Sequence, residues 1–275
     1  TAHDFARLSM INVIQALVGL VLLALVWVLD FYGLCLRAMF TVIIAATLFY
    51  FWRPVRVRPR WDFRHFKHLF VIGAPIFVVG QIYAWWSVIN QTLVLSYTGT
   101  HGMGLYVMVV MTSGAMMLLP QSLSQVIYPR MAELFGHGGS MADLFRITIK
   151  PMLLCAACMV PLAAIAWWLV EPVTRLLVPK YIEAVPAMQW ALLQPVIMCF
   201  APINNVFNVT RQQKLYLAAI LTGMAIYGIS LMWLIQGGLS LIVFPQAMLI
   251  GYTAFIAACY FFLYFLSRKG PAIEK

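Results

Sequence analysis

Eight runs of mostly apolar residues, each close to or beyond twenty long, set what this chain can fold into. They cover residues 8–29, 34–52, 69–95, 105–127, 147–170, 188–209, 215–235 and 241–266. An α-helix of about twenty residues crosses a hydrocarbon layer of about 30 Å. Only 9% of the 275 residues are charged and 64% are hydrophobic, whereas a soluble domain carries roughly a quarter charged residues. In lipid, every backbone polar group has to bond inside its own segment or within a closed barrel. A barrel would alternate apolar and polar residues over strands of about ten, and these runs do not alternate. The fold class they predict is an all-α polytopic membrane protein of eight transmembrane helices. Pro75, Pro120, Pro161, Pro195, Pro202 and Pro245 fall inside the runs and predict kinks, because each removes an N–H and crowds the preceding turn.

Charge placement orients the helices. Residues 53–68 read R-P-V-R-V-R-P-R-W-D-F-R-H-F-K-H, with six of the eighteen Lys and Arg residues and Asp62 as the one acid. Placed in the cytoplasm, with the sides alternating, this loop puts fifteen basic residues inside: Arg7, the six above, Arg130, Arg146, Lys150, Arg211, Lys214, Arg268, Lys269 and Lys275. Arg175, Lys180 and the intramembrane Arg37 fall on or near the other side. That bias predicts both termini of this chain on the cytoplasmic side. Trp27, Trp167, Trp168, Trp190 and Trp233 then gather near the outer interface, where amphipathic rings prefer to sit. The net charge of +10 is absorbed by topology, so nucleic acid is not expected as a partner.

A weak internal repeat suggests a division. Trp27-Val28-Leu29-Asp30-Phe31-Tyr32-Gly33 resembles Trp233-Leu234-Ile235-Gln236-Gly237-Gly238, and each patch lies between an outgoing and a returning run. Helices one and two would then be equivalent to seven and eight. On that reading, residues 1–52 are the last two helices of an N-terminal lobe, 53–68 a basic inter-lobe loop, and 69–275 a complete six-helix lobe. Transporters are often built from such duplicated bundles. The expectation is an N-terminally truncated chain, with the missing N-terminal lobe helices as its first partners. No cleavable signal is read in its short polar start.

No run interior contains Asp, Glu, Lys or His, and no Ser/His/Asp set or carboxylate pair can be assembled within the membrane. The chain is therefore not expected to be an enzyme, and neither cofactor nor metal is expected. Cys155 and Cys158 have redox or metal spacing but sit mid-helix with no His or acid beside them, so packing is the plainer reading. The polar residues within the runs are mostly amides. Gln81, Asn90 and Gln91, with Trp85 among them, lie on the third helix; Gln121 and Gln125 on the fourth; Asn204, Asn205 and Asn208 on the sixth. Gln121/Gln125 and Asn204/Asn208 are i, i+4 pairs, which share a helix face. Amides offer donors and acceptors to sugar hydroxyls without carrying charge; they also join helices at about 1 kcal/mol each. As a set they are candidates for a substrate cavity. Arg37, Arg130, Arg211 and Lys214 are candidates for contact with an anionic headgroup.

The segment from Gly73-Ala-Pro75 to Gly102-Met-Gly104-Leu-Tyr106 resembles the opening of the second lobe of Wzx-type polysaccharide (O-antigen) flippases. These belong to the multidrug/oligosaccharidyl-lipid/polysaccharide exporter superfamily. Leu119-Pro120, Ile127-Tyr128-Pro129-Arg130, Lys150, Pro161 and Leu176-Leu177-Val178-Pro179-Lys180-Tyr181-Ile182-Glu183-Ala184-Val185-Pro186 continue the likeness. The resemblance implies two six-helix lobes around a cavity, alternating access, and a glycan linked to undecaprenyl diphosphate as cargo in the bacterial inner membrane. It also implies membrane lipids and polysaccharide assembly proteins as partners. Many such relatives carry acids or additional basic residues in their spans; at the third-helix position where an acid could stand, this chain has Asn90-Gln91, which puts proton coupling through this half in doubt. A multidrug exporter of the same superfamily, a membrane glycan polymerase or ligase, and a structural scaffold are the alternatives.

Overall fold

The computed structural model describes residues 5–52 and 62–268; residues 53–61 of the basic stretch, with Lys269 and Lys275, lie outside them. The chain divides into two units, Thr1–Phe66 and Lys67–Lys275. In the first, helix α1 (Phe5–Val21) and helix α2 (Leu23–Phe51) are interrupted at Leu22. The chain reverses inside α2, at Asp30 (φ 46°, ψ −120°), close to the first corner of a type II′ turn. Arg37 Nε donates to the Gly19 carbonyl at 3.0 Å across eighteen residues, which a straight helix would hold about 27 Å apart. Residues 5–29 and 31–51 are thus antiparallel arms of a hairpin.

The second unit repeats the device. Helix α3 (Phe63–Gly136) is broken at Gly99 (φ 69°, ψ −170°), a backbone region open essentially to glycine alone. Asn90 Nδ2 donates to the Tyr106 hydroxyl at 2.8 Å across sixteen residues, about 24 Å along an unbroken helix, so residues 63–98 and 100–136 double back. Helix α4 (Met141–Leu177) follows a capping box: Ser140 Oγ accepts from the Asp143 N–H, and the Asp143 carboxylate accepts from the Ser140 N–H. At 37 residues it is about 55 Å long and outruns the bilayer core at one end or both.

The next span differs from the single helix expected over 188–209. It is a chain of short pieces: 3₁₀ turn Pro179–Ala184, α5 (Val185–Ala191), α6 (Gln194–Met198), 3₁₀ turn Ala201–Asn204 and α7 (Asn205–Val209), with a bend of 47° after Met198. Pro179, Pro186, Pro195 and Pro202 each open one of these pieces. A proline suits the first turn, where no N–H is needed, and ends the helix before it. Four at intervals of seven to nine residues leave no room for an uninterrupted ladder. Helices α8 (Gln213–Gln236) and α9 (Val243–Arg268) close the unit.

Among the described residues, five helices are long and apolar enough to cross a membrane, or six with the bent pair taken as one. The reversal at Gly99 divides one of these, and the reversal at Asp30 makes 5–29 and 31–51 separate arms, which brings the apolar arms to eight. The chain is an all-α polytopic membrane protein.

Lipid tails are as apolar as leucine, so helices in a bilayer associate through close packing and not through the hydrophobic effect. The second unit shows where that packing is tightest. A methyl group added at Gly251 of α9 would stand 2.7 Å from Tyr227 Cβ and 2.8 Å from Trp86 Cζ2; one at Gly223 of α8 would stand 2.7 Å from Phe255 Cβ and 2.8 Å from Trp86 Cη2. The two glycines face each other, and the Trp86 indole fills the notch between them, edge-on to Tyr252 (5.0 Å between ring centres) and Phe255 (6.4 Å). Gly251→Val should lower the stability of the full chain in detergent by about 1–3 kcal/mol through overpacking, read as an earlier thermal transition. The same change at Gly228, which faces open space, should cost much less.

Candidate functional site

The notch fixes which way the first arm of α3 faces. Val79, Trp86, Asn90 and Val94 are buried, and Tyr83 and Trp86 meet Phe255. Gln81 is two residues beyond Val79, about 200° around the helix, and is exposed, as is Trp85. Gln91 is half-buried, its Nε2 donating to Ser87 Oγ one turn back at 3.3 Å. Asn90 has surroundings unlike those expected of a cavity wall. Its Nδ2 donates to the Tyr106 hydroxyl and its Oδ1 accepts from the Tyr227 hydroxyl at 2.9 Å. Both ends of the amide are committed, so as arranged it ties the two arms of α3 to α8.

On the second arm, Gln121 and Gln125 are exposed; neither they nor Gln81 bond to a protein group among the described residues. Ser124, between them, accepts from Asn205 Nδ2 at 2.8 Å and links this arm to the broken span. Asn205 is nearly buried. Asn204 Nδ2 donates to the Tyr216 hydroxyl at 3.2 Å, and Asn208 Oδ1 accepts from Gln213 Nε2 at 3.1 Å. Two more amides of the broken span hold its flanks: Gln189 Nε2 donates to the Trp167 carbonyl of α4, and Gln194 Nε2 to the Pro245 carbonyl of α9. The amide set therefore falls into two groups. The asparagines hold helices together, while Gln81, Gln121 and Gln125 are exposed with donors and acceptors unspent; Gln91, bonded only within its own helix, stands between the two.

Arg37 lies in the first unit, in an open cleft of about 840 Å³ whose wall also includes Gln15, Gly19, Leu34 and Thr41. Its Nε is held by the Gly19 carbonyl, while its two Nη groups have no protein partner among the described residues. Arg130, Arg211 and Lys214 are exposed. Arg211 ends α7 at φ 59°, and the next N–H, of Gln212, closes back on the Phe207 carbonyl at 2.8 Å, a Schellman-type ending. The tyrosines at 106, 216 and 227, Gln15 and Thr41 escape a reading of the sequence, and Ser124 is legible there as polar but not as the partner of Asn205. A hydroxyl inside an apolar run carries no sign of which helix it will meet.

The family described as "polysaccharide biosynthesis protein" matches residues 2–186. The chain belongs to that family. No curated protein and no solved structure matches it. The matched part of this polysaccharide biosynthesis protein takes in the hairpin with Arg37, both arms of α3, α4 and the first 3₁₀ turn of the broken span, and stops at Pro186, at the start of α5. A multi-pass membrane protein of this family has a role in polysaccharide biosynthesis or export. Gln81, Gln121, Gln125 and Arg37 lie inside the match; Asn204, Asn205 and Asn208 lie beyond it.

Asn90→Leu should leave two buried tyrosine hydroxyls unsatisfied, at a cost of about 1–3 kcal/mol each, and lower the thermal transition accordingly. Gln81→Leu and Gln121→Leu should leave that transition within about 0.5 kcal/mol of the parent, as surface changes do.

Proposed function

We propose that this polysaccharide biosynthesis protein is a flippase that moves a lipid-linked oligosaccharide across the bacterial inner membrane by alternating access. The cargo is a glycan on undecaprenyl diphosphate, as in O-antigen or other surface polysaccharide assembly. Both termini of the chain are cytoplasmic on this reading. The observation that carries it is the exposed, unspent amide set Gln81, Gln121 and Gln125 on the two arms of α3, in a membrane protein of a polysaccharide family. Such groups bond sugar hydroxyls as donors and acceptors, and they reorient across the bilayer without the large cost of carrying a bare charge. The broken span supports the same reading, because discontinuous helices recur at transporter sites. Arg37, whose Nη donors stand free in a cleft, and Arg130, Arg211 and Lys214 are assigned to anionic headgroups of cargo or lipid. The protein performs no covalent chemistry on this account and needs no cofactor or metal. Its partners are the lipid-linked glycan, membrane lipids, further helices of the preceding lobe and polysaccharide assembly proteins, with no nucleic acid.

Reconstitution of the full-length protein with fluorescently tagged lipid-linked glycan tests this. The triple variant Gln81→Leu/Gln121→Leu/Gln125→Leu should slow leaflet transfer by at least about tenfold, the loss of some 1.4 kcal/mol from cargo recognition, while the protein keeps its thermal transition. Transfer at the parent rate by the folded triple variant would refute the assigned site. Efflux of hydrophobic cations, with no transfer of the glycan, would replace the reading with that of a multidrug exporter.

A further inference from the structure

The Cys155-x-x-Cys158 spacing of α4 turns out not to mark the pair that the fold assembles. Cys155 Sγ instead donates to Cys199 Sγ at 3.4 Å, forty-four residues away, and Cys199 Sγ in turn donates to the Pro195 carbonyl at 3.4 Å. Cys155 is half-buried and Cys199 fully buried. They sit in a small cluster of their own with Ala156, Met159, Met116, Val196 and Phe200, and Phe200 alone of these also packs against the main core of the second unit. Cys199 follows α6 directly, at the bend of 47° in the broken span. Two thiols already in contact across a helix pair need only about 1.4 Å of further approach to reach a disulfide bond length of about 2.05 Å. Pairing of this kind fixes one helix against another where the span is discontinuous.

We infer that Cys155 and Cys199 form a redox modification site, a reversible disulfide that pins the bend of the broken span to α4. A small neutral peroxide is the class of oxidant that can enter such a place. The Cys155 sulfur, the less buried of the two, takes one oxygen of hydrogen peroxide as the O–O bond breaks. The departing hydroxide collects the thiol proton as water, leaving a sulfenic acid. The Cys199 sulfur displaces the sulfenic hydroxyl, which leaves with the Cys199 proton as a second water, and the S–S bond forms. The two thiols together give up two electrons to one peroxide, and a dithiol reductant reverses the step. The effect on transport rests on the flippase reading; the cross-link itself does not.

The full-length protein in membranes, treated with hydrogen peroxide and digested without reduction, should yield a linked peptide joining Cys155 to Cys199. Cys158→Ala should leave that peptide in place, and Cys155→Ser or Cys199→Ser should abolish it. In vesicles, peroxide should stop leaflet transfer of the tagged glycan and dithiothreitol restore it, with Cys155→Ser/Cys199→Ser unaffected by either. Oxidised protein without the Cys155–Cys199 peptide, or with Cys155 joined to Cys158 instead, overturns the site. A linked peptide with transfer unchanged overturns the pinning. Failure of the untreated protein to move any glycan would refute the flippase reading, and the linked peptide would still decide for or against the site.

Discussion

The contact on which the second unit depends is the Trp86 indole seated between Gly223 and Gly251. In water such a ring would be held by the area it removes from solvent; in a bilayer that gain is absent, and van der Waals complementarity takes its place. Two glycines bring α8 and α9 together closely enough that each backbone carbonyl lies about 3 Å from where the other's methyl group would be. The ring then reaches three aromatic neighbours on α8 and α9, Tyr227, Tyr252 and Phe255, besides Tyr83 on its own arm. The seat has a cost, since the Trp86 Nε1 hydrogen is buried without a partner among the described residues, worth about 1–3 kcal/mol. Good packing over a ring of this size outweighs it, and Asn90, one helical turn further along, adds its bonds to Tyr106 and Tyr227.

What the notch decides is orientation. With Trp86 and Asn90 turned toward α8 and α9, helical geometry turns Gln81 away from the core. Ser124, bonded to Asn205, turns inward while Gln121 and Gln125 stay exposed. Polar groups that join the helices of the second unit and polar groups with no protein partner among the described residues are thereby sorted onto different faces of the same helices. The sorting suits apolar runs whose interiors hold no carboxylate: the committed amides bond hydroxyls, carbonyls and one another, and the unspent ones carry no charge.

Much of this is legible in the sequence, because membrane physics acts on long windows. Eight apolar runs anticipate eight arms, and the turns near Asp30 and within 96–104 stand where the chain reverses, at Asp30 and Gly99. The broken span is less legible. Pro195 and Pro202 announce kinks, but that four prolines would each begin a new short helix depends on their spacing relative to one another. The amides are legible as a set and not one by one: Asn90 and Gln91 are neighbours in sequence, yet only Asn90 meets two tyrosines, since a partner sixteen or 137 residues away leaves no local trace. The cysteines teach the same lesson. Local spacing pairs Cys155 with Cys158, and the fold pairs it with Cys199.

The central claim is that Gln81, Gln121 and Gln125 face water inside the bilayer. In a full-length background with the native cysteines replaced, single cysteines at these three positions should react in intact membranes with a charged, water-soluble maleimide, and lipid-linked glycan should slow that reaction. Controls at Ile89 and Leu119, exposed on the same two arms but turned well away from these glutamines around the helix, should react more slowly. If the three positions instead resist the charged reagent and take only a membrane-partitioning one, they face acyl chains, and the account of an amide-lined path for sugar is contradicted.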